Sequence, residues 1–491
     1  MSNHSKPVSS RAIHSVIGIA IMILFRFLPI SLPQVTPVGM EIIGIFLGTL
    51  YLWTTVDPIW SSLWSIFMIG VSCFAPMPAV LKDAFGNPVV VQMLFLMVTM
   101  NALVHNKLTA YIGRFFLTLK INNRRPWVFT AMIMFGAMLM AAFVGPFAPI
   151  FLFWPILYDI FQEIGMKKGE AYPTIMIILV VIGTLAGFPV PPYSNNGLAL
   201  ISNYATITES MGQKVVINNA EYLALAMIYG IVIILTMVLF CKFVLHPDVS
   251  KLKNLDIDMI KRNPLPSLNG NQRFMAGSFV AFIACMLLPS IFPKLGVMHF
   301  LDQNSSGIAL GYCAILCHIN MDKNSSEPVA PFGKIMNGFA WGTFFLCTAA
   351  ILLGSVLTNE ATGIAAFLNV ILTPIFSNMS LFMFYVVLLV ITMVLTNLCN
   401  SLVIGLLMQP VIATFCLANN IESAPITALI IIFVLSSAAV TPSASPFAAM
   451  IHGNKDWLKS SEIYKYTLMF VGIELLLAIF VGLPLANFLI H

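Results

Sequence analysis

Apolar runs long enough to cross a bilayer recur from one end of this chain to the other, separated by short polar stretches. A hydrocarbon core of about 30 Å takes about 20 apolar residues as a helix. Lipid offers no partner to backbone N–H and C=O groups, so each run must close its own hydrogen bonds. The balance of residues agrees: 59% are hydrophobic and only 9% charged, where soluble domains carry roughly 25% charged. The expected class is an all-α polytopic membrane protein. The longest polar stretch, HPDVSKLKNLDIDMIKRNPLPSLNGNQR from His246 to Arg273, has no apolar periodicity and reads as a cytoplasmic linker between two halves. The run from Ala12 to Ile30 is long for the core of a signal peptide and lacks a small-residue cleavage site, so it is expected to stay as a first helix.

Lysine and arginine collect in cytoplasmic loops, so their positions count the crossings. The clusters are Lys6 and Arg11; Lys107 to Arg125; Lys167 and Lys168; Lys242 to Arg273; Lys323 and Lys334; and Lys455 to Lys465. Lys82, Lys214 and Lys294 then face the other side, with the N-terminus inside and the C-terminus outside. Two intervals do not fit single crossings. Between Arg125 and Lys167 an apolar stretch has basic residues at both ends, and its middle reads VGPF; Pro146 lacks the N–H that a continuous helix needs. A re-entrant hairpin fits. From Ile335 to Asn454 there is no Lys or Arg, and parity requires a second hairpin, centred on Asn400, entering from outside.

The two halves repeat one order of events. VGPFAPIFLFWPI, ending near Pro155, is followed by GFPVPPYSNNG; NSLVIGLLMQPVI, around Pro410, is followed by VTPSASPFA. Each hairpin precedes a helix broken by prolines, and the charge positions put the hairpins on opposite faces. An inverted repeat of this kind points to a secondary transporter with its site at the midplane. Pro189, Pro191 and Pro192 stop a helix where lipid would favour leucine, which is tolerated only where protein or a watery cavity covers the freed backbone. Half-helix N-termini there attract anions without a lysine. The expected architecture is about 11 transmembrane helices with two re-entrant hairpins. Residues 1–125 and 274–379 supply scaffold helices, 126–245 and 380–491 transport elements, and 246–273 the linker.

At these residues the chain resembles the divalent anion sodium symporter family of the ion transporter superfamily, which includes bacterial dicarboxylate carriers and mammalian citrate and sulfate cotransporters. The resemblance runs over nearly the whole length, through GMEIIGIFLGTLYLWTTV, AFGNPVVVQMLFLMVTMNAL, both hairpins and both breaks. It implies a homodimer in which a unit of hairpins and broken helices moves against a scaffold in an elevator-type displacement. The family's tips carry Ser-Asn-Thr and its breaks Thr-Pro-Pro followed by Asn. Here the tips read Gly145-Pro146-Phe147 and Asn400-Ser401-Leu402, and the breaks Pro191-Pro192-Tyr193-Ser194-Asn195 and Ser443-Ala444-Ser445-Pro446. Gly145, Pro146 and Phe147 offer no side-chain oxygen, so the family's inner sodium site does not carry over.

The expected substrate contacts are therefore Ser194, Asn195 and Asn196 on one side and Asn400, Ser401, Ser443 and Ser445 on the other. Na⁺ is the coupling ion the resemblance implies, with Thr396, Asn397 and Asn400 as its candidate ligands. The expected function is cation-coupled transport of small anions, di- or tricarboxylates, in a bacterial inner membrane. The alternatives are anion exchange, or a proton-coupled carrier of a more apolar or neutral substrate, since Phe147 and Tyr193 make the pocket less polar than a dicarboxylate needs. No enzyme activity, cofactor or nucleic-acid partner is expected, because the hairpins hold no pairing of acid, base, nucleophile or metal ligands. Eight cysteines lie scattered in apolar runs, which argues against a disulfide framework; Cys313, Cys317 and His318 are the nearest approach to a metal motif. Glu474, inside the last apolar run, is read as a structural partner, with carriage of a coupling proton as the alternative. Arg26 is read as snorkelling from the first helix, and Gly44 and Gly48 as a close helix contact.

Overall fold

The computed structural model describes residues 10–108, 111, 115–116, 124–143, 147–193, 195–254, 266–292, 295–323, 325–337, 339, 341–364, 366–367, 370, 380–398 and 400–490. Its described residues form helices and no strand. The first half runs α1 (Ser10–Leu24), α2 (Pro37–Thr55), α3 (Pro58–Val71), α4 (Met77–Phe85), α5 (Pro88–His105), α6 (Pro126–Phe143), α7 (Ala148–Glu163), α8 (Ala171–Gly187), α9 (Asn195–Ser210) and α10 (Asn219–Phe240). The second half runs α11 (Gly270–Ile291), α12 (Gly296–Gln303), α13 (Ser305–His318), α14 (Phe332–Met336), α15 (Trp341–Thr358), α16 (Leu381–Leu398), α17 (Ser401–Ala418), α18 (Ala424–Ser436), α19 (Pro446–Gly453), α20 (Ser460–Leu477) and α21 (Leu483–Leu489).

Among the described residues, seven helical stretches are long and apolar enough to cross a membrane: Ser10–Phe27, Pro88–His105, Pro126–Phe143, Asn219–Leu245, Gly270–Pro289, Leu381–Leu398 and Ser460–Leu489. The chain is an integral membrane protein. Other apolar helices are shorter, and two of them occupy the centre. All residues of α8 from Tyr172 to Gly187 and all of α18 are buried. A helix apolar all round belongs inside a larger bundle. At 17 and 13 residues, these helices also fall short of the length a full span takes. Each ends inside the protein, where its chain unwinds.

Small residues let α8 sit this deep. A Cβ on Gly187 would fall 2.0 Å from the Met138 carbonyl oxygen, and one on Gly183 2.8 Å from that of Met134. Glycines four apart thus bring α8 into backbone contact with α6, the packing that apolar surroundings favour. The same device joins α2 to α1, where a Cβ on Gly48 would lie 2.7 Å from the Gly18 carbonyl oxygen and one on Gly44 3.3 Å from that of Ile21. Met22, Ile42, Leu52, Ile66 and Leu353 form a core cluster of their own across α1, α2, α3 and α15. Arg26 does not simply snorkel: its guanidinium donates to Glu41 at 2.8 Å, and the other oxygen of Glu41 accepts from the Cys73 amide.

On the cytoplasmic side expected from the lysines, the linker is tied down at its start. Lys251 donates to the Gly165 carbonyl and to Glu170, the N-cap of α8, at 2.8 and 2.9 Å. The Lys251 hydrogen bond holds the Glu170 carboxyl below the usual carboxylate range.

Candidate substrate site at two interrupted helices

The second interruption is built almost entirely from the hairpin that precedes it. After Ser436 the chain leaves helix α18 and does not regain helical geometry until Pro446. Backbone groups freed in this way must find partners. Asn397, near the end of α16, supplies them: its side-chain oxygen accepts from the amides of Ala439 and Val440 at 3.2 and 2.9 Å. Its own amide donates to Met393, and its carbonyl accepts from the Thr441 hydroxyl at 2.5 Å. Thr396 donates to the Val434 carbonyl at 2.9 Å. Ser443 donates to Leu398, and Ser445 to Ala438. Ser445 also caps α19 by accepting from the Ala448 amide at 3.1 Å, the usual role of serine at that position.

Asn400 caps α17 through Leu402, and the Ser401 amide donates to the Ala444 carbonyl at 3.0 Å. So Asn397, Asn400, Ser401, Ser443 and Ser445 do lie together. Their oxygens and amides serve first to hold the hairpin tip against unwound backbone. The candidate sodium ligands Thr396 and Asn397 have their side-chain oxygens in those bonds.

The first interruption is different in character. Gly145 and Pro146 of the first tip, and Ser194, lie outside the described residues, as does the side chain of Asn195. Phe147 caps the start of α7, and its ring centroid lies 5.1 Å from that of Phe447, in the first turn of α19. Phe188, where α8 ends, also meets Phe447 at 5.1 Å. Thus the first hairpin and the first break both touch α19. Phe147 and Ser401, one from each hairpin, reach the same short segment, 444–447.

The contact is reciprocal. The arm of the second hairpin, α17, lies on α9, the helix after the first break. There Asn203 donates to Gln409 at 2.6 Å, and Gln409 donates to the Leu200 carbonyl at 2.7 Å, both residues fully buried. The arm of the first hairpin, α7, reaches past α19, where Tyr158 accepts from Asn454 at 2.7 Å and stacks on Trp457 at 4.7 Å. Sequence patterning did not find Asn203, Gln409 or Phe447. A lone amide in an otherwise apolar helix is the signal that marks Gln409; Asn203 lies among other polar residues of α9 and carries no such mark.

Two polar groups at the first break are buried with no partner among the described residues: the Tyr193 hydroxyl and the Asn196 side-chain oxygen. Unpaired buried polar atoms are uncommon enough to call for a reason. A cavity of about 360 Å³ leads to Tyr193. It is walled by Ile201, Ser202 and Thr206 of α9, by Gln92 of α5 and by Met286 of α11. Glu209 and Lys214, paired at 3.1 Å, lie at its edge. The site itself holds no fixed charge in sequence: residues 171–208 and 423–454 contain no Asp, Glu, Lys or Arg. An anion there would be met by N–H groups at the starts of α9 and α19, where the helix dipole is positive. Among the described residues no three His, Cys, Asp or Glu side chains come together in a metal-binding group.

Glu474 stands beside this arrangement. It is fully buried on α20 and accepts a hydrogen bond from Ser436, the last residue of α18 before the second break. The order of elements along the chain sets the last helix apart from the site, and this contact escapes such a reading because the return of α20 to α18 is fixed by tertiary packing.

No family model matches the sequence, and no curated protein does. Among solved structures, the chain is similar to the YdaH transporter of Alcanivorax borkumensis, described as having an unusual topology. The two align with a TM-score of 0.57 over 84% of this chain and 88% of that one, at 15% identity. Likeness at this identity concerns the fold, and that fold is one a membrane transporter uses.

Proposed function

We propose that this protein is a secondary active transporter of small anions, di- or tricarboxylates, driven by a cation gradient. In this reading α6 with α7 and α16 with α17 are re-entrant hairpins, one from each face of a bacterial inner membrane, with the N-terminus cytoplasmic and the C-terminus outside. Together with the broken helices α8–α9 and α18–α19 they form one unit that moves, elevator fashion, against the scaffold of a homodimer. The observation that carries the proposal is the meeting of Phe147 and Ser401 on residues 444–447. Two hairpins from separate halves of the chain meet there, Ser401 on the unwound backbone at Ala444 and Phe147 on the first turn of α19 just after it, as the site of an inverted-repeat carrier requires. Substrate would contact Asn196 and Tyr193, whose polar atoms are unpartnered, together with Ser194, Asn195, Asn400 and Ser401.

The three phenylalanines 147, 188 and 447 favour a second reading of specificity, in which the substrate carries an apolar part or is neutral. Coupling by Na⁺ through Thr396, Asn397 and Asn400 would require their present hydrogen bonds to be released or their carbonyls to serve instead. Uptake by proteoliposomes of succinate, citrate and sulfate, with Na⁺ and pH gradients imposed independently, tests the proposal. Saturable uptake that follows one gradient is expected. Uptake that needs only preloaded anion makes the protein an exchanger, and no saturable movement of any of the three overturns the anion reading.

A further inference from the structure

We propose that Glu474 is the proton-carrying group of this protein, taking up and releasing one proton at its carboxyl as the second broken helix changes position. This deepens the transporter reading above and rests on it for the coupling, though not for the proton site itself.

Three independent features of the structure converge on this residue. The first is burial without a counter-charge. Glu474 is 1% exposed, and the elements packed around α20 and the π-helical turn after it are α8, α10, α16, α18, α19 and α21. Of these, α8, α16, α18 and α21 contain no Asp, Glu, Lys, Arg or His. On α10, Glu221 lies in the first turn, two turns before Tyr229. On α19, His452 packs on Tyr464, with ring centroids 4.9 Å apart, about 15 Å along α20 from Glu474 at 1.5 Å per residue. Among the described residues, two side-chain hydroxyls meet Glu474: Ser436 on its carboxyl and Tyr229 on its backbone carbonyl, the latter at 3.1 Å. A carboxyl at membrane depth is costly to keep, and proton relays are one of the uses that retain it.

The second feature is where that carboxyl points. Ser436 is the last helical residue before the unwound segment 437–445, the same segment that Asn397 and Ser401 hold. A carboxylate can only accept from Ser436, whereas the neutral acid can also donate. Gain or loss of one proton, exchanged with water, therefore changes what α18 is tied to at the point where it unwinds. The third feature is the backbone after it. Residues Ala478–Gly482 form a π-helical turn, a departure that concentrates at functional sites. A Cβ on Gly482 would lie 2.8 Å from Leu429 of α18 and 3.4 Å from Tyr229 of α10, so the turn fits closely between the two helices that meet Glu474.

The test uses wild-type and E474Q protein in lipid, with two readouts. Infrared difference spectra between alkaline and acidic pH should show the carbonyl stretch of a newly protonated carboxylic acid in the wild type and not in E474Q. Ser436→Ala, which keeps the carboxyl, should move the midpoint of that band by about one pH unit, the scale of a hydrogen bond to a charged group. In the second readout, with radiolabelled succinate as probe, E474Q should lose pH-driven accumulation by about tenfold or more. Counterflow at equal pH on both sides should stay within about twofold of wild type. A band that persists unchanged in E474Q, or wild-type accumulation by E474Q under a pH gradient, overturns the proposal. Should the wild type move no succinate at all, the anion reading falls while the infrared arm still decides the proton site.

Discussion

At the scale of single residues, the two interruptions divide the work. Asn397 and Ser445 bond to unwound backbone, while Thr441 and Ser443 reach from the unwound segment to the last carbonyls of α16, and together they keep the second tip in place. Tyr193 and Asn196 at the first break have polar atoms with nothing to bond. Replacing Asn196 with Asp would put a negative charge where an anion is to bind. Uptake of succinate by the Asn196→Asp variant is expected to fall by at least about tenfold, each tenfold being about 1.4 kcal/mol of lost transition-state binding. An unaltered rate would remove Asn196 from the site. Sequence reasoning named Asn196 and Ser445 because prolines beside polar residues in an apolar run free backbone that lipid cannot satisfy, and Asn400 and Ser401 because charge parity puts a hairpin tip there. It could not assign Asn397 as a brace, since which unwound amides it faces depends on how α16 meets the segment after α18.

At the scale of elements, α8 is held by glycine contacts and the start of the linker by the Lys251–Glu170 ion pair. A Cβ on Gly187 would sit 2.0 Å from the Met138 carbonyl oxygen, so Gly187→Ala must push α8 away from α6. A loss of about 1–3 kcal/mol is expected from such overpacking, seen as a lower thermal midpoint in detergent; a midpoint equal to wild type would mean the two helices separate freely. Gly277, with open space around it, provides the control. The Glu170–Lys251 pair gives a dependence on pH. Because the folded protein holds the Glu170 carboxyl below its ordinary value, its contribution is present above the unfolded pKa of about 4.3. It is lost as pH falls through the lower folded value. Both side chains are over a third exposed, so the effect is well under about 1 kcal/mol after screening. It should appear as lower amide protection in residues 246–254 on acidification, with exchange compared to the intrinsic rate at each pH, and Glu170→Gln should show the lower protection already at neutral pH. Apolar helices of membrane length were legible from hydropathy; the first tip, at Gly145 and Pro146, lies outside the described residues, and re-entry of the chain there and at Asn400 stays with the proposal. The crossed packing of α7 beside α19 and α17 on α9 was not legible, because it rests on Tyr158, Asn203 and Gln409, whose sequence neighbourhoods carry no periodic signal.

At the scale of the whole molecule, elements far apart in sequence meet around one short segment, and a cavity at the joint of α5, α9 and α11 reaches Tyr193 at the first break. A carrier must open that approach first to one side and then to the other. Ser202 lies on α9 along the cavity wall, and a cysteine there reports which side is open. The most direct measurement is labelling of Ser202→Cys, in a chain with its eight native cysteines replaced, by a membrane-impermeant maleimide added to one face at a time of sealed vesicles of known orientation. Labelling from both faces, with the balance between them shifted by succinate, is the expected result. Reaction from one face alone, unmoved by succinate, citrate or sulfate, would contradict a moving site between the two broken helices.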